Sequence, residues 1–370
     1  MDDQSPAAQR TRPNPNIGDG CDNGQPRSRP QLLLYAMYDA DHLDRGPAVR
    51  VSMMRAALER QCDLHVISGS RRSRALAALR WLASPARGQV DAVYVEAASS
   101  FATPVDLAFL GLMRLQGVPV GVYFRDAYQL FRNQYPLSRF RERILDGLWR
   151  ISTPLLKHIA THRFVPSRGL ASVLRIMNPT LLPPGTDPNA PFLGAAKGST
   201  VAYVGAIGAA DGLHLLIEAM TRVREQIPTA ELLVISARDP RSAPGQPAWL
   251  RHERADRARL WVLLADARVC VIPRPITAYT DLAVPIKLTD YLSLGKPIVA
   301  TACHETELIL LETGAGLVVD DNPTSLAGAI IRVLQHDDLA ETLAFAARRY
   351  AVDPEQTWDA RARRVISALT

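Results

Sequence analysis

The sequence predicts an α/β protein of two successive doubly wound domains, each a parallel sheet with helices on both faces. Three observations predict it. The chain has 370 residues, more than one hydrophobic core usually organises, and roughly 150 residues per domain points to two. Short apolar runs alternate with longer helical patterns along most of the chain, the signature of β-α-β units. A cluster of proline and glycine interrupts that rhythm once, near the middle, and the alternation then restarts.

Residues 1–30 are rich in Pro, Gly, Asn, Asp, Gln and Arg and nearly free of large apolar side chains. Burial there cannot offset the entropy of ordering, so a disordered tail is expected. Strands are expected at 32–37, 64–68, 92–95, 118–124 and 163–165. Helices run between them, such as 49–60 and 105–116, the latter closed by Gly117 and followed by Val118-Pro119, a helix stop signal. Leu181-Leu182-Pro183-Pro184-Gly185-Thr186-Asp187 sits where an inter-domain hinge would lie. Strands resume at 200–204, 231–236, 267–272, 297–301 and 316–319. A last helix, about 357–369, carries Trp358, Val365 and Leu369. The expected division is a tail over 1–30, a first domain over 31–183, a second over 184–352, and a terminal segment over 353–370.

Hydrophobic content of 47% with 22% charged residues is ordinary for a globular protein. No apolar run approaches the ~20 residues that cross a bilayer, and Met1-Asp2-Asp3-Gln4 lacks the basic-then-apolar order of a signal peptide. A cytoplasmic protein is expected. Cys21, Cys62, Cys270 and Cys303 are scattered, without metal-ligand spacing, so free thiols are expected and neither disulfides nor structural zinc.

The formal net charge of +6 is concentrated between Arg132 and Arg163. Arg139, Arg141, Arg143, Arg150 and Lys157 stand there against Glu142 and Asp146, interleaved with Phe140, Ile144, Leu145, Leu148, Trp149 and Ile151. The pattern fits a basic amphipathic helix at a membrane face. It fits equally a surface helix whose apolar side lies in the core. Nucleic acid is not an expected partner, because no binding motif accompanies the charge.

In open parallel sheets ligands bind beyond the carboxyl ends of the strands. The polar residues there are Asp39, Asp41 and His42 after the first strand, Glu96 after the third and Asp126 after the fourth. Asp126-Ala127-Tyr128-Gln129 also reads as a capping box. Gly46 precedes a helix carrying Arg50, where amides and a guanidinium could meet an anion, or where a turn glycine and a surface arginine suffice. In the second half, Val204-Gly205-Ala206-Ile207-Gly208 leads through Gly212 into a helix. Small residues there let backbone approach a diphosphate, although the spacing is not G-x-G-x-x-G.

The run from Pro285 to Thr301 is the stronger signal. It reads as a helix entered at a proline and closed by Gly295-Lys296-Pro297 before a buried strand. Amides of Ile286, Lys287, Leu288 and Thr289 can bind phosphate oxygens, Lys287 adds charge, and Asp290 can accept from ribose hydroxyls. An acid in a first helical turn also simply complements the dipole.

This run resembles the P-x-K-L-x-E-Y-x-x-x-G-x-P-V-V-A-T stretch of glycosyltransferase family 4 (the group 1 glycosyl transferases) and its GT-B relatives. Leu182 to Asp187, Tyr203-Val204-Gly205, and Ala265-Asp266-Ala267 with Val271-Ile272-Pro273 resemble further landmarks in the same order. The likeness runs from about Leu32 to the C-terminus. It implies the GT-B architecture, two Rossmann-like domains facing a cleft, with the final helix crossing back to the first domain and Trp358 at the crossing. It also implies retaining transfer from a nucleoside-diphosphate sugar to a hydroxyl acceptor, with no obligatory metal or other cofactor. A lipid-linked or polysaccharide acceptor would suit the basic segment over 132–163.

Three positions depart from the family. Its paired acids lie eight apart, and Asp290 takes the second place as a shortened Glu, while the first falls on Leu282, leaving Asp281 as a substitute. The Arg and Lys after the glycine strand fall on Ala206 and Asp211, so Lys287 and Arg274 are the nearest cations. The frequent first-domain histidine falls near Asp126, which would take its sugar-contacting role. Asp39-Ala40-Asp41 spells the metal-binding D-x-D of another glycosyltransferase class, but it follows the wrong strand. The rival readings are a decayed binding or scaffold subunit and a nucleotide-sugar epimerase. A nicotinamide dehydrogenase is disfavoured by the missing G-x-G-x-x-G and its later acid.

Overall fold

The computed structural model describes residues 29–38, 46–84, 88–134, 140–240 and 247–370. Its first sheet contains β1 (Gln31–Ala36), β2 (Asp63–Ile67), β3 (Ala92–Glu96), β4 (Val120–Tyr123), β5 (His162–Val165) and β6 (Thr180–Leu181). They lie in the order β2-β1-β3-β4-β5-β6, every pair parallel. The connecting helices are α1 (Gly46–Glu59), α2 (Arg71–Leu82), α3 (Pro104–Leu115), α4 (Phe140–Ile159) and α5 (Arg168–Val173).

Side chains alternate across a strand, so one run of leucines feeds two cores. Leu33, Tyr35, Val93 and Val95 pack with Ala78 of α2, Phe109 of α3 and Trp149 and Leu156 of α4. Leu32, Leu34, Tyr94 and Phe164 face the other way, onto Met54 and Leu58 of α1 and onto Trp358, Val365 and Leu369. The last three belong to α12 (Trp358–Leu369), which therefore completes the first domain. A sheet covered on both faces needs continuous apolar strands, and each such side chain contributes about 1.5–3 kcal/mol when fully buried.

The second sheet contains β7 (Thr200–Val204), β8 (Glu231–Ile235), β9 (Leu250–Glu253), β10 (Val269–Ile272), β11 (Ile298–Thr301) and β12 (Gly316–Val319), all parallel, in the order β12-β11-β10-β7-β8-β9. Helices α6 (Leu213–Gln226) and α10 (Pro323–Gln335) cover one face. On the other lie α7 (Arg257–Ala265), α8 (Ile286–Ser293), α9 (His304–Thr313) and α11 (Asp337–Val352).

The sequence reading lacks two of these strands. β6 is a two-residue extension into the proline-rich linker. β9 is an edge strand reading Leu-Arg-His-Glu, of which only the leucine is buried, so it shows no apolar run.

The chain passes twice between the sheets, and the two crossings are bonded together. Thr186 N donates to Gln356 O at 2.9 Å, and Trp358 N donates to Thr186 O at 3.2 Å. Arg361 Nε adds a bond to Pro183 O at 3.1 Å. The two halves also touch directly: Ser167 Oγ donates to Leu282 O at 2.7 Å, Leu282 packs against the first-domain core, and the rings of Phe131 and Tyr279 lie 5.6 Å apart.

Cys62, Cys270 and Cys303 are free and buried. Cys21, Arg139 and the Asp39, Asp41 and His42 group lie outside the described residues. Among the described residues no helix is long and apolar enough to cross a membrane.

Candidate active site

On the second sheet, the ends of β7 and β10 meet the start of α8. Gly205, just past β7, has φ of +132°, and a Cβ there would lie 2.7 Å from Lys287 Nζ. Glycine thus satisfies the backbone and leaves room for the lysine. Lys287 Nζ donates to the Tyr203 hydroxyl at 3.2 Å and sits 4.3 Å from that ring's centroid. Burial draws the Lys287 ammonium down to about 7, with Asp211 opposing the fall and Arg274 adding to it. Among the described residues no carboxylate contacts this lysine.

The loop after Gly205 closes on itself, because Gly208 N donates to Asp211 Oδ2 at 3.2 Å. Gly212 then begins α6 with φ of +77°, where a Cβ would fall 1.7 Å from Pro273 O. The start of α6 is thereby pressed against the backbone entering the half-buried Arg274. Neither α6 nor α8 has a side-chain cap at its N-terminus, so both present open amides and positive dipole ends.

The four amides expected at α8 are not equally open. Leu288 N donates to Pro285 O at 3.0 Å, and Thr289 Oγ1 donates to Ile286 O at 3.0 Å. Leu288 and Thr289 are buried, whereas Ile286 and Lys287, at the start of the helix, are half-buried. Asp290 Oδ1 accepts from Arg257 Nη1 at 2.9 Å, and Arg257 also lies 3.9 Å from Asp187. Burial raises the Asp290 carboxyl, while Arg257 pulls it back down. Arg257 and Asp187 were not among the expected residues, since they lie far from Asp290 in sequence.

Asp281 does not face the lysine. Its Oδ1 accepts from His304 N at 3.1 Å, capping the start of α9. Lys296, the second lysine of the resembling run, is fully buried and donates to Ala267 O at 2.8 Å and Ala265 O at 3.3 Å.

In the first domain, Asp126 forms no capping box, because the following 3-10 turn starts beyond Ala127 without a side-chain cap. Asp126 Oδ2 instead accepts from Ser99 Oγ at 2.6 Å, and Oδ1 is buried with no partner among the described residues. Burial raises this carboxyl, against the pull of Ser99 and Arg125. An enclosed space of about 10 Å³ beside it is lined by Trp149, Ser152, Thr153 and Leu156 of α4, room for about one water. Next to Ser99 opens a cleft of about 380 Å³ lined by Tyr38, Arg71, Ser100, Phe101 and Tyr128.

Gly46 begins α1, but Arg50 is 2% exposed and is not open to an anion in the cleft. Its Nε donates to Glu96 at 3.2 Å, and its guanidinium stacks 3.6 Å from the Tyr123 centroid, with Trp358 at 5.7 Å. Glu96 is also held by Tyr94 at 2.8 Å and Arg125 at 2.9 Å. The charge expected on the ligand side thus lies inside the fold between the first sheet and Trp358 of α12, with Arg50 Nη1 and Nη2 buried and unpartnered among the described residues.

Two facing parallel sheets, with the terminal helix crossing back to the first, define the GT-B architecture. Residues 198–336 match the family described as glycosyl transferases group 1. Three solved structures share the fold over almost the whole chain. Sucrose-phosphate synthase of Thermosynechococcus elongatus is 17% identical with a TM-score of 0.66, covering 92% of this chain and 98% of that one. WaaG, a glycosyltransferase involved in lipopolysaccharide biosynthesis, is 14% identical with a TM-score of 0.64, covering 92% and 99%. Anabaena Alr3699/HepE, in complex with UDP and glucose, is 14% identical with a TM-score of 0.61, covering 91% and 98%. No curated protein sequence matches the chain.

Proposed function

We propose that this protein is a glycosyltransferase that moves a sugar from a nucleoside-diphosphate donor to a hydroxyl acceptor, with retention and without an obligatory metal. The observation that carries this reading is the Lys287 site: a half-buried ammonium with a phenol partner, set between Gly205 and the uncapped start of α8. Such a site suits an anion. A diphosphate would meet Lys287, the amides of Ile286 and Lys287, the small Gly205 turn and Arg274, and Asp290 would accept from the ribose hydroxyls.

Lys287 and the helix dipole would stabilise the departing phosphate, so positioning and electrostatics would supply most of the rate. Asp126, with one carboxylate oxygen unsatisfied, would contact the reacting sugar from the opposite domain. The departing phosphate is the nearest base for the acceptor hydroxyl. Residues 31–183 would then form the acceptor domain and 184–352 the donor domain. HepE, which shares the fold, forms a complex with UDP-glucose, so uridine donors are tested first.

Titration calorimetry with UDP-, GDP- and dTDP-sugars, repeated on Asp290→Ala, tests the reading. One nucleotide class should bind, more weakly in the variant. Absence of binding by every donor to folded protein would sink it. A second reading draws on Leu282, which stands where the family has an acid and is packed against the first domain: a binding subunit that holds donor without turnover. Donor consumption with a supplied acceptor separates the two.

A further inference from the structure

The outer surface of α4 is unlike a solvated helix face. Phe140 is 78% exposed, Ile144 47%, Leu148 39%, Ile151 65% and Leu155 46%. At 3.6 residues per turn these five fall within an arc of about 80° and extend along most of a helix roughly 30 Å long. Trp149, Ser152, Thr153 and Leu156 occupy the buried side. The helix therefore has two apolar faces, one in the core and one that no other described residue covers, and such stripes mark an interaction surface.

Basic residues flank the stripe. Arg141 lies on one side and the exposed Arg143 and Arg150, seven residues apart, on the other, while Lys157 continues that line but donates to Leu174 O at 2.9 Å. On the same face of the sheet, α2 and α3 add exposed Leu76, Leu79, Leu112 and Leu115 with Arg72, Arg80 and Arg114. These three helices hold few acids. Asp106 is buried against Arg74, Asp146 is paired with Arg132 and Arg150, and Glu142, in the first turn of α4, lies on the arc opposite the stripe. An apolar stripe bordered by arginines on a helix that does not span a membrane suits an anionic bilayer surface, with the apolar side chains below the headgroups and the guanidinium groups among them.

We propose that the outer face of α4 is an interfacial anchor that lays the first domain on an anionic lipid bilayer. The inner face of the same helix lines the space beside Asp126. Docking would therefore hold the acceptor side about one helix diameter, roughly 10 Å, above the headgroups. Resting on the glycosyltransferase reading, this selects an acceptor carried by a lipid.

The test is flotation of the full chain with vesicles of phosphatidylglycerol and phosphatidylcholine, and with phosphatidylcholine alone. Wild type should float with the anionic vesicles and far less with the neutral ones. Ile144→Ser with Ile151→Ser should weaken that binding roughly tenfold or more. Arg141→Gln with Arg143→Gln should weaken it about fivefold per charge, on anionic vesicles only. Absence of wild-type binding, unchanged binding by the isoleucine variant, or a wild-type dimer that this variant dissolves would each overturn the proposal. Donor titration on the same proteins reads the glycosyltransferase assignment separately: lost donor binding with intact flotation would remove that assignment and leave the anchor.

Discussion

The two sides of the cleft handle charge differently. In the first domain, Arg50, Arg125 and Tyr94 all converge on the buried Glu96, and Trp358 closes over Arg50, although Arg50 Nη1 and Nη2 and Arg125 Nε find no hydrogen-bond partner among the described residues. In the second, Lys287 has a phenol in contact, and its ammonium titrates near neutrality. Charges paired internally hold shape, and removing one strands its partner in low dielectric. A charge left with a neutral partner gains most from a ligand. Equal formal charges therefore predict opposite phenotypes on the two sides.

The sharpest attempt to break this contrast is Trp358→Ala. The indole is 4% exposed in the core shared by α1 and α12, so the variant should lose about 3–5 kcal/mol of stability, read by chemical denaturation. Lys287→Ala should do the reverse, leaving the denaturation midpoint almost unchanged while weakening donor affinity by about tenfold to a hundredfold in calorimetry.

The pH dependence of donor affinity comes next. The folded pKa of Lys287 lies below its ordinary value, so above about 7 the free protein holds the neutral amine and binding an anion must take up a proton. Affinity should fall as pH rises through 7, by up to about tenfold per unit, and Lys287→Met should flatten the slope. The smallest effect concerns Asp211, whose carboxylate belongs to the loop that would face the diphosphate. Because losing Asp211 lowers the Lys287 ammonium further, Asp211→Asn is titrated about two units below pH 7, where Lys287 is charged in both proteins, and should there tighten donor binding by about twofold to fivefold. Unchanged affinity would place the diphosphate away from this loop.

Most strands were legible because buried parallel strands are continuous apolar runs, and the Pro285 to Thr301 segment was legible because its helix start, cation and acid are contiguous. What escaped depends on partners distant in sequence. Nothing local to Asp290 announces Arg257, and nothing local to Arg50 announces Glu96, Tyr123 and Trp358. Asp281 looked like a substitute acid, whereas its neighbour Leu282 reaches the first domain and Asp281 caps α9. In α4, apolar residues cover so much of the circumference that periodicity alone could not say which arc met the sheet. Trp149 turned inward, while Phe140, Ile144, Leu148 and Ile151 turned out.

The paired crossings at Thr186 and Thr357 bear on how the cleft would open. A single connecting segment lets two bodies swivel in any direction. Two segments bonded side by side, with Arg361 reaching from one to Pro183 on the other, resist twisting and leave one easy axis along their common line. The cleft would swing as a door does on its pin, and the Asp126 side would return to the Lys287 side in the same register at each closure.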